Sequence, residues 1–423
     1  MKISIICTEF PPNYRGGLGI YMDRVIKQLQ KEDHELSLYT LNYPFALPQV
    51  EVQGNLTVHR ISPCPFTRKG LDKTRGELSV RAILYNALNL AMFNWHVFRK
   101  LWHKHRTKDI GTLAVHDWMC APAALLLYRL TGQGLVFHVH STEMSMNLHG
   151  TNGFTPKVAA WLEAQIARVA KQIIVPSDEI KAQIIGFGWA AEKIDVVHHG
   201  FEDDALQAMA SNVAQRDEEL SRLRMMLSIG ADTKVLLFAG RLITHKGVET
   251  LLQAMPQVIA AHTDIKLIFV GSGEAKYQAQ MQQFIVNNKL TKHVYAYYEQ
   301  MPQTQVIAHY CLADVCIFPS TYEPFGFVAL EAMTFAKPVV LGCGFSAVIR
   351  APHLTGLAEQ PISVYADSNH PDEIARCVIE LLDSPEQAQQ LGQRAQRYVQ
   401  KQFRWKKTSE QTLAVYQRLN VNQ

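Results

Sequence analysis

Short apolar runs alternate along this chain with longer stretches in which apolar residues recur at helical spacing. Ten runs rich in Val, Ile, Leu and Phe predict β-strands at 2–7, 35–40, 111–115, 135–139, 172–175, 234–239, 265–270, 293–296, 314–318 and 338–341. Strands that are apolar almost throughout and separated by helices are typical of parallel sheets covered by helices on both faces. The pattern therefore predicts an α/β protein.

The alternation stops between His198 and Thr233, where the chain is rich in Glu, Asp, Gln and Arg and has no strand candidate. A chain of 423 residues is long enough for about two to three domains. We therefore predict one Rossmann-like domain over residues 1–198 and a second over residues 199–403. Ligands of such sheets bind beyond the carboxyl ends of the strands, so the two domains are expected to face each other across a cleft.

Composition and charge narrow the classes of function. The hydrophobic share of 48% and the charged share of 19% are those of a folded globular protein. The net charge of +4 is too mild for a nucleic-acid-binding surface but suits an anionic small ligand. The seven cysteines have neither zinc nor Cys-x-x-Cys spacing, which indicates reduced thiols. We find no signal peptide and no membrane-spanning run, so we expect a cytoplasmic protein that touches at most the inner face of the membrane.

A glycine-bounded loop with two cations follows the predicted strand 234–239. It runs from Gly240 through Arg241 and Lys246 to Gly247, after which a helix is predicted. Arginine offers phosphate a planar fork of donors, and lysine adds a mobile point charge. At the end of a parallel strand this loop predicts a diphosphate site; the alternative is a surface loop with two solvated cations.

Two glutamates lie on either side of a predicted helix start in the second half. Glu323 precedes Phe325 and Gly326, a helix is predicted to begin close to Phe327, and Glu331 lies about one turn inside it. The N–H groups at a helix start stabilise an anion, and the two carboxylates would bind different hydroxyls of one ligand. The alternative is that Glu323 is an N-terminal cap contact and Glu331 a solvated helix residue.

The first half has adjacent glycines at a predicted helix start, where Arg15 precedes Gly16 and Gly17. Glycines at such a place let a phosphate or a sugar approach the backbone closely. The alternative is a tight turn without a ligand.

Two neighbouring predicted strands of the first half each end near a histidine, His116 and His140. A single histidine is usually structural, but two at the same edge of a sheet favour a polar cleft floor. Asp117, next to His116, is expected to cap a helix.

Residues 79–108 are predicted to form one or two long amphipathic helices. Seven apolar residues share one face: Val80, Ile83, Leu84, Ala87, Leu88, Ala91 and Trp95. Basic residues crowd the end of the segment around Trp102. We expect a core-facing helix with a solvated basic end; the alternative is a peripheral contact between this basic end and a membrane surface.

Taken together, these motifs resemble glycosyltransferase family 4. The pair Glu323 and Glu331, with Pro-Phe-Gly after the first, looks like the signature of that family, and the Gly-Arg…Lys-Gly loop matches it too. Residues 371–375 and 403–405 extend the resemblance over essentially the whole chain. The loop 15–19, Arg-Gly-Gly-Leu-Gly, is similar to that of starch and glycogen synthases, in which a Lys precedes the glycines.

The resemblance implies the two-domain arrangement called GT-B and a role for each domain. Residues 1–198 would be the acceptor-side domain and residues 199–403 the nucleotide-sugar domain, and residues 404–423 would form a helix that packs back on the first. His198-His199-Gly200 stands where the family usually has Pro-Asn-Gly, so the hinge is left open.

The resemblance also implies a role for each site residue. Arg241 and Lys246 would bind the donor diphosphate, Glu323 the hydroxyls of the transferred sugar and Glu331 those of the ribose. His140 would lie beside the transferred sugar as a catalytic residue. Further donor contacts are expected from Gly16, Gly17, Gly240, Gly271, Gly273, Phe325 and Gly326, and acceptor-side contacts from Arg15 and His116.

The implied reaction moves a hexosyl group, with retention, from a UDP-, GDP- or ADP-sugar to a hydroxyl of a glycan, lipid-linked or small-molecule acceptor. No cofactor is expected, and the lack of an Asp-x-Asp motif predicts metal-independent chemistry. No nucleic-acid partner is expected. The alternatives are a non-catalytic paralogue that binds a nucleotide sugar or glycan, and a GT-B nucleotide-sugar epimerase.

Overall fold

The chain folds into two compact units, each built on one sheet. The computed structural model describes residues 1–12, 17–42, 47–62, 80–148, 154–201, 213–299 and 301–421. One unit comprises Met1–Gly200 together with Trp405–Gln423, and the other comprises Phe201–Arg404. The predicted α/β class with two parallel-sheet domains is confirmed.

The first unit contains an eight-stranded sheet. Its strands are β1 (Lys2–Ile6), β2 (Glu35–Leu41), β3 (Val50–Gln53), β4 (Leu56–Ile61), β5 (Thr112–His116), β6 (Leu135–His138), β7 (Gln172–Val175) and β8 (Ile194–Val196). Its helices before residue 200 are α1 (Gly17–Leu29), α2 (Val80–Arg106), α3 (Ala121–Thr131), α4 (Glu143–Leu148), α5 (Phe154–Val169) and α6 (Asp178–Gly186).

The strand order of the first sheet is β3-β4-β2-β1-β5-β6-β7-β8. Every neighbouring pair is parallel except the β3–β4 hairpin. The chain adds strands on one side of β1 and then on the other, so the order reverses between β1 and β5. In open α/β sheets the ligand binds at such a reversal, beyond the carboxyl ends of the strands.

The second unit contains a six-stranded sheet. Its strands are β9 (Lys234–Ala239), β10 (Ile265–Val270), β11 (Val294–Tyr297), β12 (Val315–Phe318), β13 (Val339–Leu341) and β14 (Val364–Tyr365). Its helices are α7 (Val213–Met226), α8 (Val248–Ala261), α9 (Ala275–Asn287), α10 (Gln303–Leu312), α11 (Phe327–Thr334), α12 (Ala347–Arg350), α13 (Pro371–Asp383) and α14 (Pro385–Gln402).

The second sheet is parallel throughout and has the order β11-β10-β9-β12-β13-β14. This is the strand order of a dinucleotide-binding Rossmann domain, with the reversal between β9 and β12. Successive residues of β9 point to opposite faces, so that Val235 and Leu237 join one buried cluster and Leu236 and Phe238 join the other. Helices therefore cover both faces of the sheet.

The last helix, α15 (Trp405–Val421), belongs to the first unit. The Thr408 hydroxyl donates to the carbonyl oxygen of His198 at 2.8 Å, and the Tyr416 hydroxyl is hydrogen-bonded to His138 Nε2 at 2.8 Å. Arg418 Nη2 lies 2.7 Å from the Asp195 carboxylate. These contacts fix α15 to β6 and to the end of β8.

The face of α2 that we expected in the core is exposed, and the opposite face is buried. Phe93, Val97 and Leu101 are buried, whereas Leu84 and Trp95 are 62% and 54% exposed. The expectation was wrong because two polar residues, Asn89 and Asn94, lie on the buried face. A hydropathy pattern assigns such residues to the exposed side of a helix. Among the described residues, no helix is long and apolar enough to cross a bilayer.

Candidate active site

The loops predicted to bind the donor leave the carboxyl ends of β9 and β12, where the strand order of the second sheet reverses. The β9 loop runs beside the β10 loop: Gly240 N–H donates to Val270 O and Leu242 N–H to Ser272 O, each at 2.9 Å. Thr321 N–H, in the β12 loop, donates to His245 O at 2.9 Å. Three loops are thus held together at the place where such sheets bind nucleotides.

Glycines allow these loops to touch backbone to backbone. A Cβ at Gly271, where φ is +156°, would lie 1.8 Å from Gly240 O. A Cβ at Gly247, where φ is +73°, would lie 2.2 Å from Pro319 O, and one at Gly273 would lie 2.3 Å from Leu242 O. No other residue type fits at these approaches, which explains the predicted glycines at 271 and 273 as a close-packed floor. At Gly240 a Cβ would meet nothing closer than 3.9 Å, and glycine is favoured there by its φ of +142°.

Lys246 and Glu323 form an ion pair between the β9 loop and the β12 loop. Lys246 Nζ donates to Glu323 Oε2, and both side chains are only 12% exposed. The sequence assigned these residues to different parts of a donor, and the structure brings them into direct contact. A mobile cation and a carboxylate therefore share one small, largely enclosed site.

Arg241 contrasts with Lys246. It is exposed, and its guanidinium makes no hydrogen bond or ion pair with the residues that the structure describes. Its guanidinium donors are thus available to an anion at the same loop.

The predicted helix start near Phe327 is confirmed as the N-terminus of α11. Gly326 is its N-cap residue with φ +107°, and as a glycine it has no side chain that could cap this helix end. Phe325 is 3% exposed and packs against Phe403, so only its backbone can meet a ligand. Glu331 is not simply a solvated helix residue, because the buried Tyr310 hydroxyl donates to its Oε2 at 2.7 Å.

The histidines of the first unit form a cluster beyond the ends of β5 and β6. His116 and His138 are register partners, and their ring centroids lie 4.2 Å apart. His116 Nδ1 is hydrogen-bonded to His140 Nε2 at 3.0 Å. Tyr21 packs against His140 and against His199, each with ring centroids 4.7 Å apart. We call His116, His138, His140 and His199 the histidine cluster.

Asp117 holds the backbone that carries His140. Its N–H donates to His138 O at 2.9 Å, and its Oδ1 accepts from His140 N–H at 2.9 Å. Asp117 occupies the N-cap position of the short helix after it, as expected, but its side chain makes no cap bond to that helix. Its φ of +56° turns the carboxylate away from that helix and toward the next strand end.

Burial sets the protonation of these groups. It lowers the pKa of His140 to about 3, and it lowers the pKa values of His116, His138 and His199 well below 6.5. The four imidazoles are therefore uncharged at neutral pH. Burial also raises the pKa of Asp117 to about 7.

His116, His138 and His140 have nitrogens within 4.8 Å of one another and are the candidate metal ligands among the described residues. His116 Nδ1 and His140 Nε2 are already joined in the 3.0 Å hydrogen bond, so an ion bound through these two atoms would have to displace it. His138 Nε2 is bonded to Tyr416, and His138 Nδ1 has no partner among the described residues. The arrangement is a hydrogen-bonded cluster, which suits donation to or acceptance from neutral hydroxyls.

The remaining predicted residues are those of the first glycine loop, and Gly17 is the first residue of α1. Arg15 and Gly16 lie outside the described residues, so their predicted contacts stay predictions.

Several residues of the site were not predicted. His199 was noted only as a departure from a family motif, and Tyr21, Tyr310 and Tyr416 carry no sequence signal. His138 could have been found, since two histidines at positions i and i+2 around a strand end point to the same side.

Comparison with known proteins matches both halves to glycosyltransferase models. Residues 15–205 match the model "Glycosyltransferase Family 4", and residues 223–398 match "Glycosyl transferases group 1". An uncharacterized glycosyltransferase of Methanocaldococcus jannaschii is 25% identical, with 98% of each chain covered. D-inositol 3-phosphate glycosyltransferase of Corynebacterium diphtheriae is 28% identical, and glycogen synthase of Mycobacterium tuberculosis is 24% identical. For both, 98% of this chain and 94% of the relative are covered.

Solved structures share the fold over the whole chain. Sucrose-phosphate synthase of Thermosynechococcus elongatus matches with a TM-score of 0.75 at 19% identity, covering 100% of both chains. Anabaena HepE in complex with UDP-glucose matches with a TM-score of 0.69 at 18% identity, again covering 100% of both chains. The two-domain GT-B fold and the two family models agree with the motifs in the sequence. The chain belongs to the glycosyltransferases, with a family 4 N-terminal part and a group 1 C-terminal part.

Proposed function

We propose that this glycosyltransferase moves a hexosyl group, with retention and without a metal ion, from a UDP-, GDP- or ADP-sugar to a hydroxyl acceptor. The acceptor class is a glycan, a lipid-linked saccharide or a small molecule. The observation that carries the proposal is the Lys246–Glu323 pair beside Arg241, at the strand-order reversal of a Rossmann-type sheet.

The cations supply the leaving-group chemistry. The bond from the sugar C1 to the diphosphate oxygen breaks, and negative charge builds on the departing phosphate. Arg241, Lys246 and the uncapped start of α11 would stabilise that charge, which is the largest single term in many enzymes. Losing one such contact costs about 2.7–4 kcal/mol of barrier, by analogy with oxyanion-hole donors.

The acceptor oxygen then bonds to C1 on the face that the diphosphate leaves. Its proton passes to the departing diphosphate, so no protein base is needed for the transfer. A donor diphosphate would draw Lys246 away from Glu323 and free the carboxylate for the sugar hydroxyls. Glu331, already oriented by Tyr310, would bind the ribose hydroxyls.

His140 would contact the transferred sugar. Because the pKa of His140 is lowered to about 3, it would act as a neutral hydrogen-bonding group and not as a cation. Its Nδ1 has no partner among the described residues, whereas its Nε2 is held by His116. His140 Nδ1 is buried, so a sugar hydroxyl that reached it would complete its hydrogen bonding.

The names of the relatives support a nucleotide-sugar donor but differ in donor and acceptor. One structural neighbour is bound to UDP-glucose, and the curated relatives include an inositol phosphate glycosyltransferase and a glycogen synthase. We therefore keep the proposal at the level of donor and acceptor classes.

The test is a panel of UDP-, GDP- and ADP-hexoses, in a metal-free buffer with chelator, with released nucleotide diphosphate as the readout. We expect hydrolytic release with one donor, and proton NMR of the freshly released sugar, recorded before mutarotation, should show the anomeric configuration of that donor. Tight nucleotide binding without release would favour the non-catalytic paralogue. A changed sugar without transfer would favour the epimerase, and activity only on adding a divalent metal would contradict the metal-free reaction.

A further inference from the structure

Helix α2 displays an apolar stripe on the surface of the first unit. Ile83, Leu84, Leu88 and Trp95 are 40%, 62%, 46% and 54% exposed. Ala87 and Ala91, between them, are exposed as well. The spacing of these residues places them on one side of the helix over about 18 Å.

The stripe is a fixed surface, because the other side of α2 is anchored. Phe93, Val97 and Leu101 are at most 1% exposed. Asn94 Nδ2 donates to Met119 O, and Asn94 Oδ1 accepts from Ala123 N–H, both at 2.9 Å. The orientation of the helix about its axis is thus determined by packing and by buried hydrogen bonds.

The neighbouring helices also carry exposed apolar residues. Helix α2 packs against α3, and α3 packs against α5. Leu126 and Leu130 of α3 are 37% and 56% exposed, and Trp161 of α5 is 56% exposed. Soluble monomers rarely expose large contiguous apolar patches, and a stripe of apolar residues along one helix is a candidate interaction site.

The charges on α2 itself have a single sign, and the acidic residue that follows, Asp109, is paired with Lys104 and Lys2. Residues 80–108 contain six Lys and Arg and no Asp or Glu. Arg99 and Arg106 follow Trp95 at helical spacing and continue the line of the stripe, and both are exposed. Lys100, beside Arg99, is exposed too. The apolar stripe is thus continued by the positive charges of Arg99, Lys100 and Arg106. It is complementary to a surface with an apolar interior and anionic groups at its boundary with water.

From this we infer that α2 binds the surface of a membrane that contains anionic lipid. The helix lies in the plane of the membrane, with Leu84 and Leu88 among the acyl chains and Arg99, Lys100 and Arg106 at the phosphates. Trp95 stands between the apolar and the basic part, which is the level that tryptophan takes at a membrane interface. A second copy of this chain fits less well, since its stripe offers no acidic residue to the arginines.

Flotation of the full chain with lipid vesicles tests this inference without any donor or acceptor. The vesicles are phosphatidylcholine alone, or phosphatidylcholine mixed with phosphatidylglycerol. We expect flotation with the mixed vesicles only, and weaker flotation at high salt. Equal flotation with both kinds, or with neither, would overturn the inference and leave the proposed transferase activity untouched.

Two double variants assign the binding to α2. Leu84→Gln/Leu88→Gln removes apolar contact, and Arg99→Gln/Arg106→Gln should weaken partitioning about fivefold for each charge removed. Matched controls in the second unit, Met225→Gln/Val286→Gln and Lys289→Gln/Lys401→Gln, also change exposed residues and should float like the wild type. Binding that survives both α2 variants would place the contact elsewhere and contradict the inference.

Fluorescence and sedimentation separate a membrane from other occupants. The emission difference between wild type and Trp95→Phe should shift to shorter wavelength when mixed vesicles are added, and an unshifted difference would contradict burial of Trp95. Sedimentation equilibrium without lipid should show the same mass for wild type and Leu84→Gln/Leu88→Gln. A dimer that the variant dissociates would identify the stripe as a contact between copies and overturn the inference.

Discussion

The ion pair between Lys246 and Glu323 is the residue-level feature on which the donor site depends. Each side chain is 12% exposed, so neither is an ordinary solvated surface charge. An exposed ion pair contributes little to stability. In a largely enclosed pair, each charge strongly affects the other, so an anion that enters the site interacts with both side chains. Substitutions at the two positions should therefore have different effects on binding and on transfer.

For Glu323→Gln, we expect nucleotide diphosphate affinity that is unchanged or higher and a strong loss of turnover. The change frees Lys246 for phosphate but removes the carboxylate that would hold the sugar hydroxyls. Calorimetric titration with nucleotide diphosphate and a steady-state assay with the true donor measure the two effects. Glu380→Gln, on the outer helix α13, is the control. Normal turnover of Glu323→Gln would remove this residue from the site.

The histidine cluster gives a prediction about pH. The pKa values of its four members are lowered in the fold, so the unfolded chain takes up protons below about pH 6.5 while the folded chain does not. These groups therefore contribute stability that is present above about pH 6.5 and is lost as the pH falls toward the folded pKa values. NMR of [15N]-histidine protein should show that they do not titrate between about pH 5 and 8.

Assignment by His116→Gln, His138→Gln, His140→Gln and His199→Gln identifies the four signals. If any of the four signals titrated with a midpoint near that of free histidine, its ring would be solvated or paired with a carboxylate. That result would contradict the prediction.

At the scale of elements, the sequence predicted those β-strands that consist of strongly apolar runs. The strands at 172–175, 234–239 and 265–270 have the predicted bounds, because a buried parallel strand has apolar residues on both faces. It missed β3 and β4, which form an edge hairpin with polar residues on one side. It missed β8 and β14 as well, since they span only three and two residues.

The site was predictable where chemistry and strand ends coincide, and not where it depends on packing. Arg241, Lys246 and Glu323 follow strands with clear apolar signals. The histidine cluster depends instead on the register of β5 with β6 and on the docking of Tyr416 from α15, neither of which local sequence specifies. The orientation of α2 was missed for the same reason, because its core face is set by the hydrogen bonds of Asn94.

Gly271→Ala tests the close packing of the donor loops. A Cβ there would overlap Gly240 O, so the β9 and β10 loops must separate. Because Gly271 also has positive φ, we expect a stability loss of about 1–3 kcal/mol together with weaker nucleotide binding.

Gly356→Ala is the matched control for this prediction. Gly356 lies in the same unit with φ +74° but has nothing within 4 Å of its Cβ position. It should lose stability without losing nucleotide affinity. Equal nucleotide affinity for Gly271→Ala and wild type would contradict the proposed floor.

At the scale of the whole molecule, two units with separate cores should respond separately to a ligand. Differential scanning calorimetry should resolve two transitions. Nucleotide diphosphate should raise the transition temperature of Phe201–Arg404 only. At 100 times its dissociation constant it should add about 2.7 kcal/mol to the free energy of unfolding of that unit. An equal shift of both transitions would contradict binding of the nucleotide diphosphate to the second unit alone.

The claim on which the account rests is that Lys246 binds the donor diphosphate. Its most direct test is the dissociation constant of the nucleotide diphosphate for wild type, Lys246→Ala and Lys234→Ala, measured by isothermal titration calorimetry. Lys234 is the first residue of β9, at the end of the strand opposite the donor loops, and is the matched control. The double variant Lys246→Ala/Glu323→Gln removes the carboxylate that Lys246→Ala would leave unpaired.

The account predicts wild-type affinity for Lys234→Ala. It predicts a loss of about 1.5–3 kcal/mol, roughly tenfold or more in the dissociation constant, for Lys246→Ala and for the double variant. Wild-type affinity in Lys246→Ala, or full recovery in the double variant, would contradict it.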